Sequence, residues 1–86
     1  MDFEKLPRVC ICRLYKECKD LFRTYVEEKR EDITYVNKRY PYMIRLHNGD
    51  EIYFMTDITY SSWCLGRTYR FYDDERAYHS GYPTQI

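Results

Sequence analysis

A chain of 86 residues is expected to form one small domain, residues 1–86, and a domain of this size buries only roughly 60 to 65 % of the surface that its unfolded chain exposes. Its 14 basic and 14 acidic residues cancel, so no overall electric field favours nucleic acid or an anionic membrane. The sequence has no apolar run near the roughly 20 residues of a membrane span and no signal-peptide core after Met1. We therefore expect a cytoplasmic protein whose four cysteines are reduced.

The first 30 residues show the apolar spacing of an amphipathic helix. Apolar residues recur at the i, i+3, i+4, i+7 positions, and Pro7 suits a first helical turn. They are Leu6, Cys10, Ile11, Leu14, Tyr15, Cys18, Leu21, Phe22, Tyr25 and Val26. A competing interpretation takes Arg8 to Cys12 as a strand, because Val and Ile alternate there. The helix is favoured because Cys10 and Ile11 share the phase of the residues that follow, which predicts one helix ending near Arg30.

A hairpin is predicted in the middle of the chain, after a short β-favouring run, Ile33 to Val36. Asn48-Gly49 separates two further β-favouring segments and indicates a two-residue type I′ turn, which requires a positive φ at both residues. Both sides of the hairpin are then apolar near its middle, so each needs cover. The facing pairs predicted by this loop are Leu46 with Glu51, Ile44 with Tyr53, Tyr42 with Met55, Arg45 with Ile52, and Met43 with Phe54.

The second half begins with a predicted short helix capped by Asp57. Ile58, Trp63 and Leu65 are expected to point inward, and Gly66 suits the left-handed position after a helix. Alternating Tyr69 and Phe71 predict a last strand over residues 67–72, followed by an acidic turn and a tail without a clear period.

These elements predict an α+β fold. The expected architecture is a long N-terminal helix packed on a small antiparallel sheet of three to four strands, with the second half partly covering the far face.

Signals for catalysis, metals or cofactors are weak in this chain. The cysteines form no C-x-x-C pair, and no Ser or Cys has a spacing that marks it as the nucleophilic partner of His47 or His79. The acidic run Asp73 to Glu75 could hold a divalent ion, but adjacent carboxylates in a turn are usually only solvated. We therefore expect a protein that is not an enzyme, with no cofactor and no metal.

A dense set of aromatic and basic residues in the second half is the candidate binding site. Tyr, Trp and Arg are the residue types enriched at protein-interface hot spots, and aromatic residues with Arg also stack on single-stranded nucleic acid. We expect Arg67, Arg70 and Tyr72 to be exposed and Trp63 to be at least half buried. The candidate partner-binding residues are Tyr60, Trp63, Arg67, Arg70, Tyr72, Arg76 and Tyr78.

About half of the chain resembles the segment before the Walker B carboxylates of phage terminase-type ATPases. The matching features are a strand, Asn48-Gly49, a second strand, Gly66-Arg67, and an apolar strand from Tyr69 that ends in Asp73-Asp74-Glu75, where those families have Asp-Glu. The chain lacks the G-x-x-x-x-G-K-[ST] phosphate loop of those ATPases, and Arg70 interrupts the strand that would carry the carboxylates. The resemblance therefore implies a viral origin, or a fragment without independent ATPase activity.

The function predicted is a small non-enzymatic protein-binding module, in the manner of a phage or mobile-element protein that inhibits or modulates a larger host protein. Its partner would be that larger protein or a second copy of the chain. The alternative is a single-stranded nucleic-acid-binding protein, which the acidic residues Asp73 to Glu75 disfavour.

Overall fold

The computed structural model describes residues 6–71, which form five strands and two α-helices. The strands assemble into one sheet in the order β2-β3-β4-β1-β5. Strands β2, β3 and β4 are antiparallel neighbours, whereas β1 runs parallel to both β4 and β5, so the sheet is mixed. The elements are β1 (Arg8–Cys12), α1 (Tyr15–Glu28), a 3-10 turn (Arg30–Asp32), β2 (Ile33–Asn37), β3 (Tyr42–Leu46), β4 (Glu51–Thr56), α2 (Asp57–Trp63) and β5 (Arg70–Phe71).

The predictions of a long N-terminal helix and of an antiparallel sheet of three to four strands are both wrong. The described sheet has five strands, and β1 runs parallel to its two neighbours. The segment Arg8–Cys12 is strand β1, which lies between β4 and β5 and has four consecutive buried residues from Val9 to Cys12. A strand covered on both faces is apolar at successive positions, so its pattern does not distinguish it from a buried helix. Helix α1 begins only at Tyr15, where the Glu17 carboxylate accepts the Leu14 backbone N–H at 3.2 Å.

The hairpin between β3 and β4 exists, but its register differs from the prediction by one residue. The loop has three residues, 47–49, closed by hydrogen bonds from the Leu46 N–H to the Asp50 oxygen and from the Gly49 N–H to the Leu46 oxygen, each 2.9 Å. Gly49 has a φ of 93° and Asn48 does not have a positive φ, which fits a type I turn followed by a bulge rather than type I′. Tyr42 consequently faces Phe54, Ile44 faces Ile52, and Arg45 faces Glu51.

Each face of the sheet is covered by one helix. Helix α1 packs on β4, β1 and β3, and helix α2 packs on β4 and β1. Because side chains alternate along a strand, successive residues of β1 and β4 enter different clusters. The α1 cluster contains Cys10, Cys12, Cys18, Leu21, Phe22, Tyr25, Tyr42, Ile44, Ile52 and Phe54, and the α2 cluster contains Val9, Ile11, Met55, Tyr60 and Tyr69.

Helix α2 has a different orientation from the one predicted. Its N-cap is Thr56, whose hydroxyl accepts the Thr59 N–H at 3.5 Å, so Asp57 is the first helical residue rather than the cap. Tyr60 is buried, whereas Ile58 and Leu65 are 81 % and 75 % exposed, contrary to the expectation that they point inward. The left-handed position of Gly66 is confirmed by its φ of 72°.

Candidate protein-binding surface

Four of the seven candidate binding residues lie within the described chain. Arg67 is exposed, Trp63 and Arg70 are partly buried, and Tyr60 is buried. The other three, Tyr72, Arg76 and Tyr78, lie outside the described residues. The structure therefore places the four described candidates at very different depths.

Tyr60 belongs to an aromatic cluster under α2. Its ring lies 5.8 Å from that of Tyr69 and 5.7 Å from that of Phe71, and its hydroxyl is hydrogen-bonded to the Tyr69 hydroxyl. Trp63 continues the cluster outward, with ring centroids 5.5 Å from Tyr69 and 5.2 Å from Tyr53. Such edge and tilted contacts stabilise aromatic pairs beyond their burial. Tyr60 therefore supports the surface from below.

Burial raises the pKa of two phenols in this part of the fold, Tyr60 and Tyr53. It is the largest cause that raises the pKa of Tyr60, followed by the hydrogen bond with Tyr69. Burial likewise raises the pKa of Tyr53, with a smaller contribution from the Glu51 carboxylate. Both phenols are neutral at physiological pH, so the cluster presents aromatic area and neutral hydroxyls rather than charge.

Arg67 covers the outer side of this cluster. Its guanidinium carbon lies 4.7 Å from the centre of the Trp63 ring, within the range of a cation–π interaction. Gly66 adopts a left-handed conformation in the turn that follows α2, and in this turn the Arg67 N–H donates to the Cys64 oxygen at 3.3 Å. Arg67 is therefore an exposed, weakly hydrated cation held over an indole ring.

Two large aliphatic side chains near the ends of α2 are also exposed. Ile58 lies in the first turn of α2 and Leu65 lies two residues after its last residue, Trp63, with the exposed Ser61 between them in the chain. We call the set Ile58, Ser61, Trp63, Leu65 and Arg67 the α2 surface. The predicted phase of α2 was wrong and placed Ile58 and Leu65 inward, although Tyr60, Trp63 and Cys64 show the i, i+3, i+4 spacing of the inward stripe; Trp63, at the end of that stripe, remains partly exposed.

Arg70 contributes to the fold through its backbone. Its N–H donates to the Pro7 oxygen at 2.9 Å, and it is paired with Arg8 in the parallel register of β1 and β5. Its position next to β1 explains why its side chain is only partly accessible.

Among residues 6–71, no group of three or more His, Cys, Asp or Glu side chains is arranged to hold a metal ion. Cys10, Cys12 and Cys18 are buried in the α1 cluster, and Cys64 is partly buried beneath α2. His47 is exposed at the hairpin loop, while His79 and the acidic run Asp73 to Glu75 lie outside the described residues.

Comparisons with known proteins add no relative. No protein-family model, curated protein or solved structure matches the chain. These comparisons leave the resemblance to phage terminase-type ATPases untested, so it stays a prediction. Over the part of the chain that the structure describes, no helix is long and apolar enough to cross a membrane.

Proposed function

We propose that the protein is a small non-enzymatic binding module that attaches to a larger protein through the α2 surface. The observation that supports this most directly is the exposure of Ile58 and Leu65 near the two ends of the helix that carries Trp63, over whose ring Arg67 lies. Exposed apolar side chains that occur singly are ordinary, but two of them on the short segment that also carries an aromatic residue and an Arg in cation–π contact give this segment the composition of an interface centre.

The chemistry of the α2 surface defines the partner that it fits. Ile58 and Leu65 fit a shallow apolar depression, and Trp63 adds a flat edge between them and Arg67. Arg67 makes no ion pair with any residue from 6 to 71, so its guanidinium is available to a carboxylate at the rim of that depression. The proposed partner is therefore a folded protein with an apolar pocket bordered by an acidic residue.

Nucleic acid fits the same surface less well. Stacking on single-stranded nucleic acid needs open aromatic faces, whereas Trp63 is partly buried and has Arg67 over its ring. The proposal that the protein comes from a phage or mobile element and inhibits or modulates a host protein rests on the terminase resemblance alone.

The test is a capture experiment in which the unchanged chain and two variants serve as bait. Ile58→Ser with Leu65→Ser removes the exposed aliphatic area, and Leu14→Ser is the matched control because Leu14 is also exposed, at 63 %, but lies before α1. Proteins captured by the unchanged chain and by Leu14→Ser are purified, and each is titrated by calorimetry against the unchanged chain, Leu14→Ser and the double variant. We expect the double variant to bind roughly 30-fold more weakly, or about 2 kcal/mol, on the scale of interface hot spots.

Three results would contradict the proposal. The first is a captured partner whose affinity is unaffected by the double variant, and the second is saturable binding of a labelled oligonucleotide that Arg67→Ala abolishes. The third is a homodimer in sedimentation that the double variant dissociates, which would assign the α2 surface to a second copy of the chain.

A further inference from the structure

A groove runs along the opposite face of the sheet, between α1 and the edge strand β2. Its volume is about 910 Å³. Its apolar floor is formed by Phe22 and Val26 of α1 together with Val36 of β2 and Tyr42 of β3. We call this feature the α1 groove.

The groove exists because one helix is too narrow for this side of the sheet. A helix is about 10 Å wide with its side chains, and adjacent strands are about 4.8 Å apart, so α1 covers two to three strands. It packs on β4, β1 and β3, and β2 remains at the edge of the described sheet. Ile33 and Val36, the apolar side chains of β2 that pack against the α1 cluster, are consequently only partly buried.

Both walls of the groove carry positive charge. Lys19 and Arg23 project from α1 and Lys38 follows β2, and none of the three makes an ion pair with a described residue. The fourth cation of the lining, Arg30, is bonded to Glu27, the only acidic residue of the lining. The groove is therefore positive although the whole chain is neutral.

We propose that the α1 groove binds an acidic amphipathic helix of a partner protein, with the apolar stripe of that helix on the floor and its carboxylates opposite Lys19, Arg23 and Lys38. Helix α1 is about 21 Å long, or four helical turns, and forms one wall of the groove along which the partner helix would lie. Packed helices lie 8 to 10 Å apart, so the partner helix would lie over β2 in the second position of the helical layer. This surface is separate from the α2 surface, which lies on the other face of the sheet.

The structure favours a helix over an extended peptide. Strand addition needs a regular edge, whereas the β2 register shifts between Ile33 and Tyr35, and the Thr34 hydroxyl is bonded to the Arg45 oxygen at 3.3 Å. A nucleic acid is disfavoured because Phe22 and Tyr42 are buried and stacked on each other at 4.6 Å, which leaves Tyr15 as the exposed ring of the groove.

The probe is a yeast-displayed library of helical peptides about as long as α1, flanked by helix caps because short isolated helices are marginal in water. Positions of the apolar stripe vary among Leu, Ile, Phe and Ala, and the flanking positions vary among Glu, Lys, Gln and Ser. We expect selection on the full chain to enrich Glu over Lys at the flanking positions. The affinity of the selected peptides should fall as salt rises, because the pairs at the groove walls are accessible to solvent.

Charge reversal then locates the site. Lys19→Glu with Arg23→Glu should weaken a selected peptide by about tenfold or more, and Arg13→Glu is the control because Arg13 is exposed and precedes α1 but does not line the groove. A peptide with Lys in place of its flanking Glu should bind the reversed protein better than the unchanged one. Lys38→Glu repeats the test from the other wall if the double variant does not fold.

The proposal is overturned by any of three results. One is a selection that enriches no peptide with saturable binding below about 1 mM, or that enriches peptides without preference for Glu. Another is an equal loss of affinity in Arg13→Glu, and the last is amide chemical-shift changes confined to α2 rather than to α1 and β2. Restored binding of the charge-exchanged peptide supports it, because a general loss of structure could not restore affinity.

Discussion

Burial divides the four cysteines into two chemical classes. Cys10, Cys12 and Cys18 have no more than 2 % of their surface exposed, whereas Cys64 is partly accessible at the end of α2. The hydrogen bond with Cys12 is the largest cause that raises the pKa of Cys18, and burial adds to it. A raised pKa lowers the fraction of thiolate, which is the reactive form of cysteine. The raised pKa and the burial of Cys18 therefore both protect it from modification.

We expect one thiol per native chain to react readily with iodoacetamide at pH 8, and that thiol should be Cys64. The buried thiols should react only after unfolding in guanidinium chloride, because their modification needs an opening of the core. Mass spectrometry of timed samples measures the number of adducts, and Cys64→Ala should abolish the fast phase. Rapid addition of two or more groups to the folded protein would contradict this prediction.

At the scale of single elements, the hairpin loop shows how one residue sets the side on which a strand is buried. Gly49 adopts a φ of 93° and adds the third loop residue, which moves Tyr53 and Met55 to the face opposite Tyr42 and Ile44. A two-residue loop would place all four side chains on one face. The bulge at Gly49 therefore decides which β4 residues enter each cluster.

Gly49→Ala should lower the free energy of unfolding by about 1 kcal/mol. An added Cβ meets no atom within 4 Å, so the cost comes from the positive φ alone. Asn48→Ala should cost less, since Asn48 has no positive φ and its side-chain hydrogen bonds to Asp50 are exposed to solvent. Urea unfolding followed by circular dichroism measures both, and an equal or larger loss in Asn48→Ala would indicate a type I′ turn instead.

At the scale of the whole molecule, the two ends of the described chain meet at β1. Strand β5 pairs with β1 after the chain has crossed from β4 through α2, and this pairing brings Tyr69 against Val9 and Ile11 in the α2 cluster. The arrangement makes the α2 surface depend on β5, because Trp63 packs on Tyr69. The candidate binding surface is thus built by long-range contacts.

Arg70→Pro should destabilise the protein by about 1 to 3 kcal/mol, because it removes the N–H that is bonded to the Pro7 oxygen and leaves that oxygen without its donor. Arg70→Ala is the control, since it keeps the backbone donor and should cost less. Fluorescence of Trp63, the single tryptophan, reports unfolding of this part of the fold. Equal stability of the two variants would show that the β1–β5 pairing contributes little.

Local residue patterns were sufficient where an element is defined by its own sequence. The strand-forming run at Ile33 to Val36 became β2, Asn48-Gly49 marked a hairpin, and Gly66 adopted the left-handed conformation in the turn after α2. Each of these follows from backbone preference, which acts within a few residues. The enrichment of Trp, Arg and aromatic residues around residues 60–71 likewise identified part of the candidate surface, since composition is visible without coordinates.

Tertiary structure decided the features that depend on distant neighbours. The segment Arg8–Cys12 has an apolar pattern that fits a helix or a buried strand, and its pairing with β4 and β5, more than 40 residues away along the chain, selects the strand. The same holds for the α1 groove, which exists only because α1 leaves β2 uncovered, and for the exposure of Ile58 and Leu65, which follows from Tyr60 packing against Tyr69. Sequence periodicity records which residues are apolar, but burial depends on which surface each element meets, and that is set by the assembled sheet.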